Sequence, residues 1–266
     1  ANTESGSSLH QADFSTGAVI GGAFKIYSAI GAGGMGTVYL AQHLSLNRPY
    51  ALKVLSPSIV SEQSWLRFKA EAKTLSVLNH PGLVKVYDLG IHENTVPYYS
   101  MDYLEGETLE DLLVREGPQE LEFTISIFLA VLDALAYAHR NNVVHRDIKP
   151  ANIILREEDG RPVLIDFGFA VRLGIEAQVA GAPLYLPPEA LTSTEPPPST
   201  DCYALATVLF QVLTGHLPFE QPADGSGTSV ATFKFTDVKV QRIADLLLRA
   251  VSLDPTQRPV RIDEFR

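Results

Sequence analysis

Two acidic residues, Asp147 and Asp166, each close an apolar run within the stretch VVHRDIKPANIILREEDGRPVLIDFG, Val143 to Gly168. Lys149 and Asn152 lie between them. Carboxylates and an amide gathered at strand ends suit a hard cation such as Mg²⁺, which takes one or two protein carboxylates and completes its shell from phosphate and water. A lone charge in such a place is more often a solvated loop charge, so it is the set that carries meaning. A second pair lies upstream. Lys53 sits in ALKV, a strand apolar on both sides, where a Lys either snorkels to solvent or has an anionic partner. Glu71 lies midway along a helical pattern, Ser64–Leu78, whose apolar face is Trp65, Phe68, Ala72, Leu75 and Leu78. Taken alone, Glu71 reads as an exposed acid.

The elements that must position these groups are short strands and amphipathic helices. Val143-Val144, Ile153-Ile154-Leu155 and Val163-Leu164-Ile165 are β-rich runs, with a turn at Asp159-Gly160 and Pro162. Upstream, Phe24–Ile30, Val38–Ala41, Tyr50–Leu55, Leu83–Tyr87 and Tyr98–Tyr103 read as five strands. Between the first two lies GAGGMG, Gly31 to Gly36. A glycine run of this kind that opened a helix would suggest dinucleotide binding; here a strand follows, so the run joins two antiparallel strands. Downstream, Thr108–Arg115, Leu121–Asn141, Tyr203–Thr214 and Val240–Ser252 have helical spacing. Tyr203–Thr214 has almost no polar face and should be buried. Asp201, just before it, would then be a costly burial unless hydrogen-bonded.

Composition sets bounds. The chain of 266 residues suits one domain with two lobes or two domains. An apolar content of 45% allows a sizeable core, and a net charge of −10 argues against a general nucleic-acid or membrane-surface binder. The single Cys202 excludes an internal disulfide framework and fits a reducing compartment. No apolar run reaches the length of a membrane span; the longest, Phe128–Ala138 and Tyr203–Leu213, are interrupted by Asp133 and Gln211. Residues 1–13 read as a flexible leader, and 14–266 as the folded domain.

HRD, a Lys two residues on, an Asn five on, and DFG nineteen after the first Asp form an ordered string. It resembles the catalytic and metal-binding loops of eukaryotic-type protein kinases, and GGMGTVY with HRDIKPANIIL is most similar to bacterial members. The resemblance runs from Phe24 to Arg266 and includes PPE in place of the usual APE, Asp201, and a terminal Arg258. It implies an α+β, bilobal fold: an N-lobe (24–103) of a five-stranded antiparallel sheet plus one helix, and a mainly helical C-lobe (104–266). It implies ATP as substrate and Mg as cofactor, with Mn as a substitute. Lys149 is the form associated with serine/threonine-directed enzymes, so the implied partner is a protein bearing Ser or Thr.

The resemblance also assigns roles. Asp147, Lys149, Lys53 and Glu71 would be catalytic, with Asp147 the base, Lys53 on phosphate and paired to Glu71. Asn152 and Asp166 would hold the metal. Gly31, Gly33, Gly34, Gly36, Val38, Ala51, Lys53, Met101, Asp102, Tyr103, Leu104 and Ile154 would line the nucleotide site, Met101 guarding the back of the adenine pocket. Leu75, Val86, His145 and Phe167 would form an apolar column, Glu189 and Arg258 a bracing ion pair, and Asp201 an acceptor for catalytic-loop amides. The implied location is cytoplasmic, whether as a free domain or as the cytosolic part of a larger or membrane-anchored protein.

The chain departs from the pattern after DFG. From Phe169 to Leu184 there is no Ser, Thr or Tyr, although Arg146 marks the subclass whose activation loop is usually ordered by phosphate. Glu176 is the only acid in that span, Ala182 stands where a Thr is usual, and Ala177 and Ala180 also lack hydroxyls. Two readings follow: an active serine/threonine kinase, and a pseudokinase or weakly active ATP-binding signalling module. The intact Lys53, Glu71, Asp147, Asn152 and Asp166 favour the first.

Overall fold

A computed structural model describes residues 14–33, 36–56, 60–167, 170–172, 184–191, 197–220, 229–230, 234, 236–254 and 257–258. The leader 1–13, Gly34, Phe169, and the loop positions Leu173 to Pro183, with Glu176, Ala177, Ala180 and Ala182, lie outside the described residues. The chain divides into two compact units. One comprises residues up to Ser76 together with Lys85–Tyr103; the other is Val77–Val84 with the residues from Leu104 onward.

The first unit is an antiparallel sheet with one helix. Its strands are β1 (Val19–Ile20), β2 (Phe24–Gly33), β3 (Gly36–His43), β4 (Arg48–Leu55), β5 (Val86–His92) and β6 (Val96–Asp102), in the order β1-β2-β3-β4-β6-β5. The five expected strands are present, and the two-residue β1 adds a sixth at the edge. Alternation decides the faces. Tyr39 and Ala41 of β3, Tyr50, Leu52 and Val54 of β4, and Tyr98 of β6 point into one apolar cluster with Ile20, Phe24 and Ile26. The other face carries the intervening residues, including Lys53 and Tyr99. Helix α1 (Glu62–Ser76) buries Phe68, Glu71, Ala72 and Leu75. It ends two residues earlier than its apolar spacing suggests, and Leu78 belongs to the second unit.

The glycine run is less of a loop than its composition implies. Gly31, Ala32 and Gly33 extend β2, Gly36 opens β3, and the hairpin is bulged between Ile26 and Ser28 and between Ala29 and Gly31. Gly36 has φ of 155° and its missing Cβ would lie 2.0 Å from the carbonyl oxygen of Val54. No other residue fits there.

The second unit is mainly helical. Strand β7 (Gly106–Thr108) leads into α2 (Leu109–Glu116), capped by the Thr108 hydroxyl on the Asp111 amide with the Asp111 carboxylate returning to Thr108. Helix α3 (Leu121–Arg140) follows, then β8 (Val143–Val144), β9 (Ile153–Arg156), β10 (Pro162–Leu164) and β11 (Val171–Arg172). β10, β9 and β7 form one small sheet, while β11 pairs β8. Leu83 is no part of β5: it bridges to Leu164, so its apolar side chain serves this unit instead. Helix α4 (Ser199–Thr214) is buried at every position from Thr200 to Phe210 and stops at Gly215, whose φ of 76° suits the left-handed cap. A two-strand ladder, β12 (Phe219–Glu220) with β13 (Ser229–Val230), and helix α5 (Val238–Ala250) complete the unit. By length and composition α3 could cross a membrane, contrary to the shorter apolar run seen in the sequence. Its Ile127, Val131, Leu132, Leu135 and Ala138 are buried within the unit, which makes it a core helix.

Candidate active site

In the first unit Lys53 Nζ stands 2.7 Å from Glu71 Oε1, and the two residues are 8% and 3% exposed. An ammonium and a carboxylate so far from water must be paired, because either alone would carry the desolvation cost of a buried charge. Strand register arranges the surroundings. Val38, Lys53 and Tyr99 are cross-strand partners, as are Leu40, Ala51 and Met101, so Val38, Ala51 and Met101 share the Lys53 face. Val38 and Met101 are half-buried and Ala51 is buried, giving an apolar strip beside the ammonium. Gly31 is different from Gly36: an added Cβ would meet only Val38 Cβ at 3.9 Å, so packing within the unit does not demand glycine there.

Asp102 faces away from that strip. Its carboxylate accepts from the Tyr87 hydroxyl at 2.6 Å and from the Lys85 amide, and its own amide donates to the Lys85 carbonyl. Burial, then the hydrogen bond to Asp102, pushes the Tyr87 phenol up to about 12. The Asp102 side chain is therefore a sheet brace. Tyr103 and Leu104 are half-buried. Leu75 and Val86 are both buried in the first unit's core, whereas His145 and Phe167 meet in the second with ring centroids 4.3 Å apart.

In the second unit the loop after β8 is fixed from behind. Asp201, fully buried at the start of α4, accepts the His145 amide on Oδ2 and the Arg146 amide on Oδ1, both at 2.8 Å. His139 Nε2 reaches Oδ2 at 2.7 Å. Burial pushes the Asp201 carboxyl up, but the hydrogen bond and charge of His139, with the bond from the Arg146 amide, outweigh it. The net position is below the ordinary carboxylate range. This anchoring holds Arg146 at φ 68°, a left-handed conformation that a long side chain rarely takes. The loop is thus turned immediately before Asp147. Pulled down by burial and opposed by Asp201, the Arg146 guanidinium has a lowered pKa.

The His145 ring links the loop to the Asp166 segment. Its Nδ1 accepts the Asp147 amide at 3.2 Å, which leaves the proton on Nε2 to donate to the Ile165 carbonyl at 3.2 Å. The Ile165 amide in turn donates to the Asn152 carbonyl. Asp166 follows at the end of β10 with φ 58°, a region that Asp tolerates better than most residues. Ile154, half-buried in β9, pairs with Val163 and Thr108.

The Asp147 carboxylate is 2% exposed and held unevenly. Oδ2 accepts from Lys149 Nζ and from Asn152 Nδ2, each at 2.8 Å, and Asn152 Nδ2 also donates to the Asp147 carbonyl. Oδ1 is buried and has no hydrogen-bond partner. Such an oxygen is costly to bury unless something else is to fill its lone pairs. With its nitrogen so engaged, Asn152 has its carbonyl Oδ1 left for a ligand. Among the described residues no cluster of three His, Cys, Asp or Glu side chains could hold a metal by itself. Two oxygen donors such as Asn152 and Asp166 would suit only a cation that brings most of its own shell.

Further down, Glu189 and Arg258 form the expected ion pair, with Arg258 4.9 Å above the Tyr203 ring. Burial raises the Tyr203 pKa, with Arg258 opposing and Glu189 adding to the rise. Two residues of the site escape a reading of the sequence. His139 pairs with Asp201 across 62 positions, and nothing in the spacing signals it. Tyr99 donates to Glu71, and only the register of β4 against β6 reveals it.

Against known sequences, the profile of the protein kinase domain matches residues 24–261. The chain is 34% identical over 256 residues to "Serine/threonine-protein kinase PrkC" of Bacillus subtilis (strain 168), covering 90% of this chain and 39% of that protein. It is 34% identical to "Serine/threonine-protein kinase pkn3" of Myxococcus xanthus, with 91% and 48% covered. It is 36% identical to "Serine/threonine-protein kinase PknB" of Mycobacterium tuberculosis (strain ATCC 25618 / H37Rv), with 91% and 42% covered. The chain spans less than half the length of these curated relatives.

Proposed function

Because the chain belongs to the protein kinase family, we propose that it transfers the γ-phosphoryl group of ATP to a serine or threonine hydroxyl of a protein substrate. The observation that carries this reading is the Asp147 carboxylate, buried, held on Oδ2 by Lys149 and Asn152, with Oδ1 unpartnered. In the reaction the substrate hydroxyl oxygen bonds to the γ-phosphorus, the bond from that phosphorus to the β-bridging oxygen breaks, and ADP leaves. Asp147 Oδ1 orients the hydroxyl and takes its proton. Lys149, beside Asp147, neutralises charge on the transferred group. Lys53 meets phosphate oxygens of the nucleotide while Glu71 keeps its ammonium in place. Little covalent work falls to the protein; positioning and charge neutralisation are its share.

Asn152 Oδ1 and Asp166 would hold Mg²⁺, with Mn²⁺ as a substitute. When bound, the ion neutralises phosphate charge in the ground state and in the transition state. Gly31, Gly33, Gly34 and Gly36 would approach the triphosphate through their backbone, and Val38, Ala51, Met101 and Ile154 would meet the adenine ring. Tyr103 and Leu104 belong to the same set through their main chain, as does Asp102 through its carbonyl alone, its amide and carboxylate being engaged in the sheet. A cytosolic, ATP-supplied compartment suits a buried thiol such as that of Cys202.

The test is incubation with labelled ATP, Mg²⁺ and a protein substrate, beside Asp147→Asn. Transfer by the native chain and its loss in the variant support the reading; equal transfer by both overturns it. A second reading, a weakly active nucleotide-binding module, is favoured by one observation: no hydroxyl occurs between Phe169 and Leu184, and Ala182 stands where Thr is usual. A large gain on Ala182→Thr would select it.

A further inference from the structure

Glu71 Oε1 has two partners. Lys53 Nζ is one, at 2.7 Å, and the Tyr99 hydroxyl is the other, also at 2.7 Å. The β4–β6 register sets Lys53 and Tyr99 directly opposite each other. In an antiparallel pair such residues project from the same face, their Cβ atoms about 4.5–5.5 Å apart. Tyr98, one residue earlier, turns the other way into the apolar cluster. Tyr99 is 1% exposed; its ring packs on Phe68 of α1 at 5.0 Å, and the Lys53 ammonium lies 5.9 Å from its centroid.

Packing alone would be served by phenylalanine at this place. A buried hydroxyl needs a partner, and here the partner is the carboxylate that holds Lys53. Each carboxylate oxygen can accept two hydrogen bonds, and Oε1 takes one from each neighbour, while Oε2 is buried with none. With Lys53 as its sole partner, the carboxylate could offer either oxygen and swing with the ammonium. A second, charge-assisted bond from β6 removes that freedom and ties α1 to the sheet at the depth of the ion pair.

We propose that Tyr99 is a positioning residue for phosphoryl transfer: its hydroxyl fixes the Glu71 carboxylate, and through it the Lys53 ammonium, where Lys53 meets the nucleotide. The inference rests on the phosphate-binding role proposed above for Lys53. Tyr99 touches neither substrate nor reacting atoms, and its effect is confined to what Lys53 does. Loss of the hydroxyl therefore weakens use of ATP and leaves use of the protein substrate alone.

The experiment compares the native chain with Tyr99→Phe, Glu71→Gln, Lys53→Met and the Tyr99→Phe/Glu71→Gln pair. Steady-state transfer to dephosphorylated casein is followed with Mg-ATP and casein varied in turn, the active sites being titrated. Tyr99→Phe should lower kcat/KM for ATP about tenfold, the loss expected of one charge-assisted hydrogen bond. The KM for casein should be unchanged, and Tyr99→Phe should have no further effect once Glu71 is Gln, because the two act as one network. Native kcat/KM for ATP in Tyr99→Phe, beside a crippled Lys53→Met, would overturn the role of Tyr99 alone. So would an equal loss in the Glu71→Gln background, or a loss seen only as fewer active sites. Native transfer by Lys53→Met would overturn the reading of Lys53, and the inference with it.

Discussion

Asp201→Asn replaces a fully buried carboxylate by its isostere, and the structure says what breaks. The three donors on Asp201 are the His145 and Arg146 amides and His139 Nε2, and they use both oxygens. Whichever way the new amide is turned, its NH₂ faces at least one of these donors. One buried donor left unsatisfied costs about 1–3 kcal/mol, and the missing charge weakens the bonds that survive. A total of about 3 kcal/mol follows, within a net stability on the order of 5–15 kcal/mol. In a chain of this size that is a fall in melting temperature of about 6–12 °C. The pH dependence has a definite sign. The folded carboxyl lies below its ordinary value of 3.8, so its contribution is complete above that value and is lost as pH falls through the folded pKa. Melting curves of the two chains should accordingly differ by the same margin at pH 7 and pH 5 and begin to converge only below about pH 4. A difference under about 1 °C at pH 7, or one that has already vanished at pH 5, would refute the anchoring of the loop by Asp201.

The two glycines of the hairpin should separate folding from binding. Gly36→Ala drives a Cβ against the Val54 carbonyl and should destabilise the first unit by about 1–3 kcal/mol. Gly31→Ala should melt within about 0.5 kcal/mol of the native chain yet bind ATP less well, read by calorimetry; the reverse pattern would contradict the role of Gly31. Lys53→Met should lose transfer, and native binding together with native transfer would remove Lys53 from the site. With no hydroxyl from Phe169 to Leu184, prior phosphatase treatment should leave transfer unchanged; a large loss would show that phosphate elsewhere orders the site.

Contiguity decided what could be read in advance. HRDIKPAN and DFG stand within one stretch, so the approximate order of Asp147, Lys149, Asn152 and Asp166 along loop and strands was legible before any coordinates. β4 was legible because Ala51 to Leu55 is apolar with a single Lys. β1 was not, since two residues carry no period. Leu83 was assigned to the wrong sheet because an apolar residue before a strand does not say which core it serves, and here it bridges to Leu164. Asp102 was expected to meet the nucleotide through its main chain, which says nothing of its side chain; only pairing shows its carboxylate turned to Tyr87 and Lys85. Tyr99 and His139 were invisible for the same reason. Each acts through a partner far away in sequence, and only strand register or helix packing brings them together.

The most direct test of the account is transfer of labelled phosphate from Mg-ATP to a protein substrate by Asp147→Asn, with ATP affinity measured alongside. Asn in place of Asp keeps the shape and the bond to Lys149 or Asn152 on one oxygen, but cannot take a proton. Transfer should fall at least a hundredfold, on the order expected for losing a general base, with ATP affinity close to native. Native transfer by the variant, or an equal loss of ATP binding, would contradict the assignment of Asp147 as the group that receives the hydroxyl proton.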